Sequence, residues 1–314
     1  MRRFLAALLV LLASQLPARA DGGAVSTRVI QVPDGAAPAI ETSLWYPAES
    51  ASPGAALRGR ALPLVVFSHG SGAFSQSHAD TAMALAGAGF IVAAPTHPGD
   101  NFRDRSGATD LAARTRQFVA VIGHVAESWS PGAVDSGRIA AFGYSAGAFT
   151  VLVAAGGMPD RTLIAAHCAA HPEVFECRLI ANGAPTAIAT APAALVRSPL
   201  PLRALVVAAP ALGYTFGPGT LAALSMPVQL WQAAEDAVLP APFYAEPVRA
   251  ALPRPPEFHL VAGAGHYDFQ APCTEILARA VPAICTSRPG FDRAAFHTQF
   301  NAEIVRFLTA ALRP

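Results

Sequence analysis

From Leu64 onward, short continuous apolar runs rich in β-branched residues alternate with longer helix-forming segments. The runs Leu64 to Phe67, Phe90 to Ala94, Ile139 to Phe142, Ala204 to Ala208, Val228 to Trp231 and Phe258 to Val261 predict strands. Helices are predicted near residues 79–87, 109–127, 146–156 and 292–312. Apolar runs without polar alternation are what a strand needs when both faces of its sheet are covered, so the pattern predicts a mostly parallel sheet with helices on both sides. Two further strands, Thr27 to Val32 and Ile40 to Tyr46, precede it, followed by a Pro/Gly/Ala-rich loop from Pro47 to Arg60. The count comes to about eight strands. Residues 157–203 break the rhythm with Pro, Cys and His, and are expected to form a small cap or pocket-wall insertion between a helix and the next strand.

One junction in this pattern carries chemistry. The strand ending at Phe142 runs into Gly143-Tyr144-Ser145-Ala146-Gly147, and the helix-forming run from Ala148 to Ala155 begins at once. A serine flanked by glycines at a strand-to-helix turn is the context of a nucleophile elbow. The glycines are needed because the turn is strained and strand and helix pass too close for Cβ atoms.

A serine hydroxyl is a poor nucleophile at neutral pH, so it needs a base within reach and an acid to orient that base. The loop after the last strand, Ala262 to Asp268, presents His266, the expected general base. The loop after Val228 to Trp231 offers Glu235 and Asp236; Asp236, which opens a D-x-V-x-P turn, is the preferred orienting acid. The order serine, acid, histidine is the one this kind of sheet uses. After the third strand, Phe67-Ser68-His69-Gly70-Ser71-Gly72 is placed to donate backbone N–H groups to an oxyanion, with Ser71 and Ala146 the expected pair. His69 is expected to brace that loop. His97 and Asp100, after the fourth strand, are candidates for pocket lining or for plain turn residues. His124, His167, His171, His259 and His297 are read as structural.

Composition narrows the partners. The 314 residues are 53% hydrophobic and 14% charged with a formal net charge of +1, arginine supplying all the basic side chains. Without a basic cluster, a nucleic-acid partner is not expected. Residues 1–20 have the layout of a cleavable export signal: Arg2 and Arg3, an apolar stretch from Phe4 to Leu12, then Ala18-Arg19-Ala20. The apolar stretch is well short of the roughly 20 residues a membrane span needs. The mature chain, 21–314, is expected to begin near Asp21 and to work in the periplasm or outside the cell without stable membrane insertion. Four cysteines agree with export, and the simplest of three connectivities pairs Cys168 with Cys177 and Cys273 with Cys285. A zinc site built from Cys168, Cys177 and His167 or His171 is the rival, although C-x8-C lacks the usual close spacing of zinc ligands.

The stretch from Phe67 to Pro98, with HGSGAF and GFIVAAPTHP, together with the order of the G-x-S-x-G, D-x-V-x-P and G-H motifs, resembles bacterial predicted dienelactone hydrolases and the related platelet-activating-factor acetylhydrolases. The resemblance runs from about Ser43 to the C-terminal helix. It implies an α/β-hydrolase fold and a serine esterase acting on a small-molecule ester without metal or organic cofactor. Two features depart from the family pattern. Dienelactone hydrolases use a cysteine where this chain has Ser145, and the acetylhydrolases take their acid from the loop after the sixth strand, which here (Ala208 to Tyr214) has no carboxylate. Neither lactone nor short-chain phospholipid specificity is therefore implied. The expected activity is hydrolysis of short acyl esters through an acyl-enzyme. An amidase or acyltransferase with the same triad, or a ligand-binding protein that has lost catalysis, is the alternative, and the oligomeric state is left open.

Overall fold

The structure, a computed structural model, describes residues 23–182 and 200–313. The expected leader (1–20) and the 183–199 part of the expected cap lie outside the described residues.

Eight strands form one sheet in the order β1-β2-β4-β3-β5-β6-β7-β8. They are β1 (Val25–Asp34), β2 (Ala37–Pro47), β3 (Leu62–Ser68), β4 (Ile91–Pro95), β5 (Val134–Tyr144), β6 (Leu202–Ala208), β7 (Val228–Ala233) and β8 (Glu257–Val261). β1 pairs antiparallel with β2, and β2 with β4; every other pairing is parallel. The parallel pairs require crossovers, and the helices that supply them cover both faces.

The period-two alternation inside each apolar run divides the core. Leu64, Val66, Ala141, Leu205 and Val207 face one layer, with α2 (Leu111–His124), α3 (Ala146–Ala154) and α6 (Ala245–Ala251). Val65, Phe67, Ala140, Phe142 and Val206 face the other, against α1 (Ala79–Gly87) and α9 (Arg293–Ala311). Phe296, Phe300, Ile304, Phe307 and Leu308 recur at helical spacing along α9 and seal that layer.

Between α3 and β6 lie two short helices, α4 (Leu163–Ala170) and α5 (Phe175–Ala181). Two more, α7 (Glu275–Ala280) and α8 (Pro282–Cys285), precede α9. The sequence pattern does not single out these short helices or α6. In α6, Pro247 stands in the first turn, where its missing N–H costs no intrahelical bond.

Cys168–Cys177 joins α4 to α5 with Cα atoms 5.2 Å apart, and Cys273–Cys285 closes the α7–α8 segment at 5.7 Å. Bonded to each other, Cys168 and Cys177 are not available as zinc ligands. The bridges belong to an oxidising compartment. Replacing Cys273 and Cys285 together by serine opens a loop of sequence separation 12. The chain-entropy model puts the expected loss of stability at about 3 kcal/mol, measurable by urea denaturation of the variant against the oxidised parent.

Candidate active site

The C-terminal edge of the parallel strands is where loops from neighbouring strands converge, and an open α/β sheet places ligands there. Four such loops meet in this chain. β5 ends at Tyr144, and Ser145 follows in a strained positive-φ conformation (φ 54°, ψ −120°) at the N-cap of α3. Only glycines fit on either side. A Cβ on Gly143 would lie 2.4 Å from the Gly147 carbonyl oxygen, and one on Gly147 would lie 1.9 Å from that of Ser68. The strained turn is held by Ser145 N–H donating to Ala208 O at 3.0 Å, and by Ala211 N–H donating to Ser145 O at 3.1 Å.

His266 stands on a single 3-10 turn after β8, 4% exposed. Its Nε2 is 3.1 Å from Ser145 Oγ and its Nδ1 is 2.7 Å from Asp236 Oδ2. Asp236 follows β7, and its other oxygen accepts from the N–H groups of Val238 and Leu239 at 2.9 and 2.7 Å. Those bonds fix the carboxylate's orientation. With Nδ1–H donated to Asp236, Nε2 is left as an acceptor for the serine proton. The Tyr144 hydroxyl donates to His266 O at 3.0 Å, tying the histidine's backbone to the elbow. Glu235, the alternative acid, points away to an exposed contact with Arg288 at 3.8 Å. Asp268 is occupied by Arg293, Ser287 and the Gly265 N–H.

The loop after β3 passes directly over the elbow, since a Cβ on Gly70 would sit 3.3 Å from that of Ser145. Ser71 therefore lies on the segment that passes over Ser145. The Ala146 N–H is the first of α3, with no intrahelical acceptor.

Behind this loop is a buried polar brace. Asp100 Oδ1 accepts from Ser71 Oγ and from Gly72 N–H, both at 2.9 Å, while Oδ2 pairs with Arg114 Nη1 at 2.7 Å. Arg114 Nη2 donates to His69 O. His69 Nδ1–H donates to Gly70 O (2.7 Å), and its Nε2 accepts from His97 N–H (3.0 Å). His97 in turn bridges Gln117 Oε1 and Ser68 Oγ. Burial, and secondly the Arg114 charge, hold both imidazoles well below the usual histidine pKa, so they are neutral. His97 and Asp100 have 0% and 1% of their surface exposed, so they are not pocket-lining groups; they support the loop from behind. His69 braces the loop, as its position in the sequence suggested.

Sequence reasoning missed Arg114. A signal was present, because Arg114 and Gln117 fall on the same helical stripe as Leu111, Phe118 and Val121, where polar residues must have buried partners.

Against known proteins, residues 37–121 match the family model described as platelet-activating factor acetylhydrolase, isoform II. No curated protein matches. Among solved structures, the chain is similar to a dienelactone hydrolase-like promiscuous phosphotriesterase from metagenomic libraries, with a TM-score of 0.59 at 17% identity over 93% of this chain and 100% of that one. This chain has the α/β-hydrolase fold. The matched family segment runs from β2 to α2 and so contains the loop after β3, His97, Asp100 and Arg114. In an α/β-hydrolase, the elbow after β5 and the loops after β3, β7 and β8 share one edge, which is where Ser145, Ser71, Asp236 and His266 are found.

Proposed function

We propose that the chain is a serine carboxylic-ester hydrolase, exported by cleavage near Ala20, that acts on short acyl esters through an acyl-enzyme. The observation that carries this reading is the position of His266, within hydrogen-bond distance of both Ser145 and Asp236. Ser145 Oγ attacks the ester carbonyl as its proton passes to His266 Nε2, and Asp236 stabilises the resulting imidazolium. The N–H groups of Ser71 and Ala146 receive the oxyanion. The tetrahedral intermediate collapses, the alkoxide leaves with the proton from His266, and water repeats the sequence to release the acid. No metal or organic cofactor takes part. We read α4 and α5 as the described part of the expected cap. Among the described residues no helix is long and apolar enough to cross a membrane.

The test uses the mature chain from Asp21, expressed in an oxidising compartment and exposed to a fluorophosphonate. One phosphonyl group is expected on the peptide containing Ser145, together with hydrolysis of p-nitrophenyl esters that falls off with acyl length. A folded protein that neither labels nor turns over any ester of the series would overturn the reading.

A further inference from the structure

The turn that carries His266 is a single 3-10 turn, His266–Phe269, too short to satisfy its own carbonyls. The carbonyl of His266 accepts from the Tyr144 hydroxyl at 3.0 Å, and that of Tyr267 from the Gln270 N–H at 3.1 Å. The carbonyl of Asp268 is met by a side chain from α9, since His297 Nε2 stands 2.9 Å from it. The other nitrogen of the same ring, Nδ1, is 2.6 Å from Asp80 Oδ2 on α1. Asp80 Oδ2 also accepts from Asn301 Nδ2 at 2.8 Å, one turn further along α9, and Thr81 Oγ1 donates to Asn301 Oδ1 at 2.7 Å.

A backbone carbonyl and a carboxylate oxygen only accept, whereas a neutral imidazole donates from one nitrogen alone. A neutral His297 would therefore set a nitrogen lone pair against an oxygen at one end of its ring. Only the doubly protonated ring satisfies both contacts. The ring is 2% exposed, and a buried cation needs a counter-charge, which Asp80 supplies. Burial opposes the charge on Asp80, yet the hydrogen bond and the charge of His297 hold its carboxyl below the usual range. We propose that His297 is held as an imidazolium and acts as a positioning residue for His266, clasping the catalytic turn to α1 and α9. This deepens the esterase reading and rests on it.

The other titratable groups around this ring leave the role to His297. His78, just ahead of α1, is neutral, because burial pushes its pKa down to about 3. Arg293, one turn earlier on α9, is engaged by the Asp268 carboxylate at 2.9 Å and by the Ile284 carbonyl at 3.0 Å. The same carboxylate accepts from the Gly265 N–H at 2.8 Å and from the Ser287 hydroxyl. The Asp268 side chain thus fixes the start of the turn and the His297 cation fixes its end. His266 lies between these two anchors, with Nε2 3.1 Å from Ser145 Oγ.

The experiment reads the ring first. Nitrogen NMR of histidine-labelled protein at about pH 7 is expected to show both nitrogens of His297 protonated. His297→Leu, which removes both donors, should lower kcat on p-nitrophenyl acetate by about 10- to 100-fold per titrated active site with KM unchanged, the cost of a slightly misplaced base. His297→Gln, which keeps one donor, should recover part of that loss. Asp80→Asn changes only the partly exposed end of the clasp, so it carries the test if the His297 variants do not fold. Without a charged partner the ring gives up its second proton sooner, so the ratio of Asp80→Asn to parent kcat should fall as pH rises from about 6 to about 8. The downfield Nδ1–H resonance of His266, which reports its 2.7 Å contact with Asp236, should shift in the same variants and reads the displacement without turnover. A neutral His297 in the parent would overturn the proposal, as would parental kcat with an unmoved His266 resonance in the folded variants. Absent hydrolysis with that resonance displaced would instead count against the esterase reading alone.

Discussion

Ser145→Ala is expected to lower kcat on p-nitrophenyl acetate by about 10⁵- to 10⁶-fold while leaving the thermal midpoint close to that of the parent. The size follows from how the groups act together. Without Oγ there is no atom for His266 Nε2 to deprotonate, and the 3.1 Å contact between them has no function. What survives is the effect of binding and of the oxyanion donors, which alone still accelerate hydrolysis over water. Asp236→Asn should cost less, about 10⁴-fold, because it leaves serine and histidine in place but lets the imidazole take the wrong tautomer. Combining the two changes should cost little more than Ser145→Ala alone, since the residues work as one unit. The measurement is initial rates with active-site titration, alongside a melting curve for each variant. Full activity in Ser145→Ala would remove the serine from the mechanism. A midpoint that collapsed would show instead that Oγ holds the elbow together.

How much of this was legible in the sequence depended on whether a feature was local. Strands β3 to β8 are short apolar runs, and their two faces follow directly from period-two alternation, so the sheet could be read from the order of the runs. The elbow was legible for the same reason: sterics within five residues dictate glycine at 143 and 147. The choice of Asp236 over Glu235 rested on turn chemistry, and the two side chains do diverge, one toward His266 and the other toward Arg288. Long-range polar pairing was not legible. Nothing near Asp100 in the chain indicates that an arginine fourteen residues later, on α2, pairs with it and also reaches the His69 carbonyl. Glu176, on α5, and Tyr244, after β7, were hidden similarly, because only the folded chain brings them together. Short helices such as α4 and α5 have too few turns to write a clear period into an alanine-rich sequence.

Arg114 yields the second large effect. Arg114 and Asp100 side chains are both 1% exposed, so Arg114→Ala strands a carboxylate in the interior with only the Ser71 and Gly72 donors and Arg105 at 3.7 Å as nearby support. Removing one partner of a buried pair costs about 3–5 kcal/mol. The expected result is an unfolding free energy, from urea titration, lower by that amount, with a further loss of activity in whatever remains folded. Asp100 fixes both the Ser71 side chain and the Gly72 N–H, and under the proposed mechanism a displaced loop would no longer present the Ser71 N–H to the oxyanion. Losing one such donor is worth about 10²- to 10³-fold in kcat. Arg114→Lys should recover only part of either loss, since one ammonium cannot reproduce the forked contact to both Asp100 and the His69 carbonyl. The double variant Arg114→Ala/Asp100→Ala should be less destabilised than the sum of the single changes, because no charge is then left buried alone. A low midpoint with kcat intact would mean that the pair holds α2 but not the loop. Additive single effects would mean that the two side chains do not act as a pair at all.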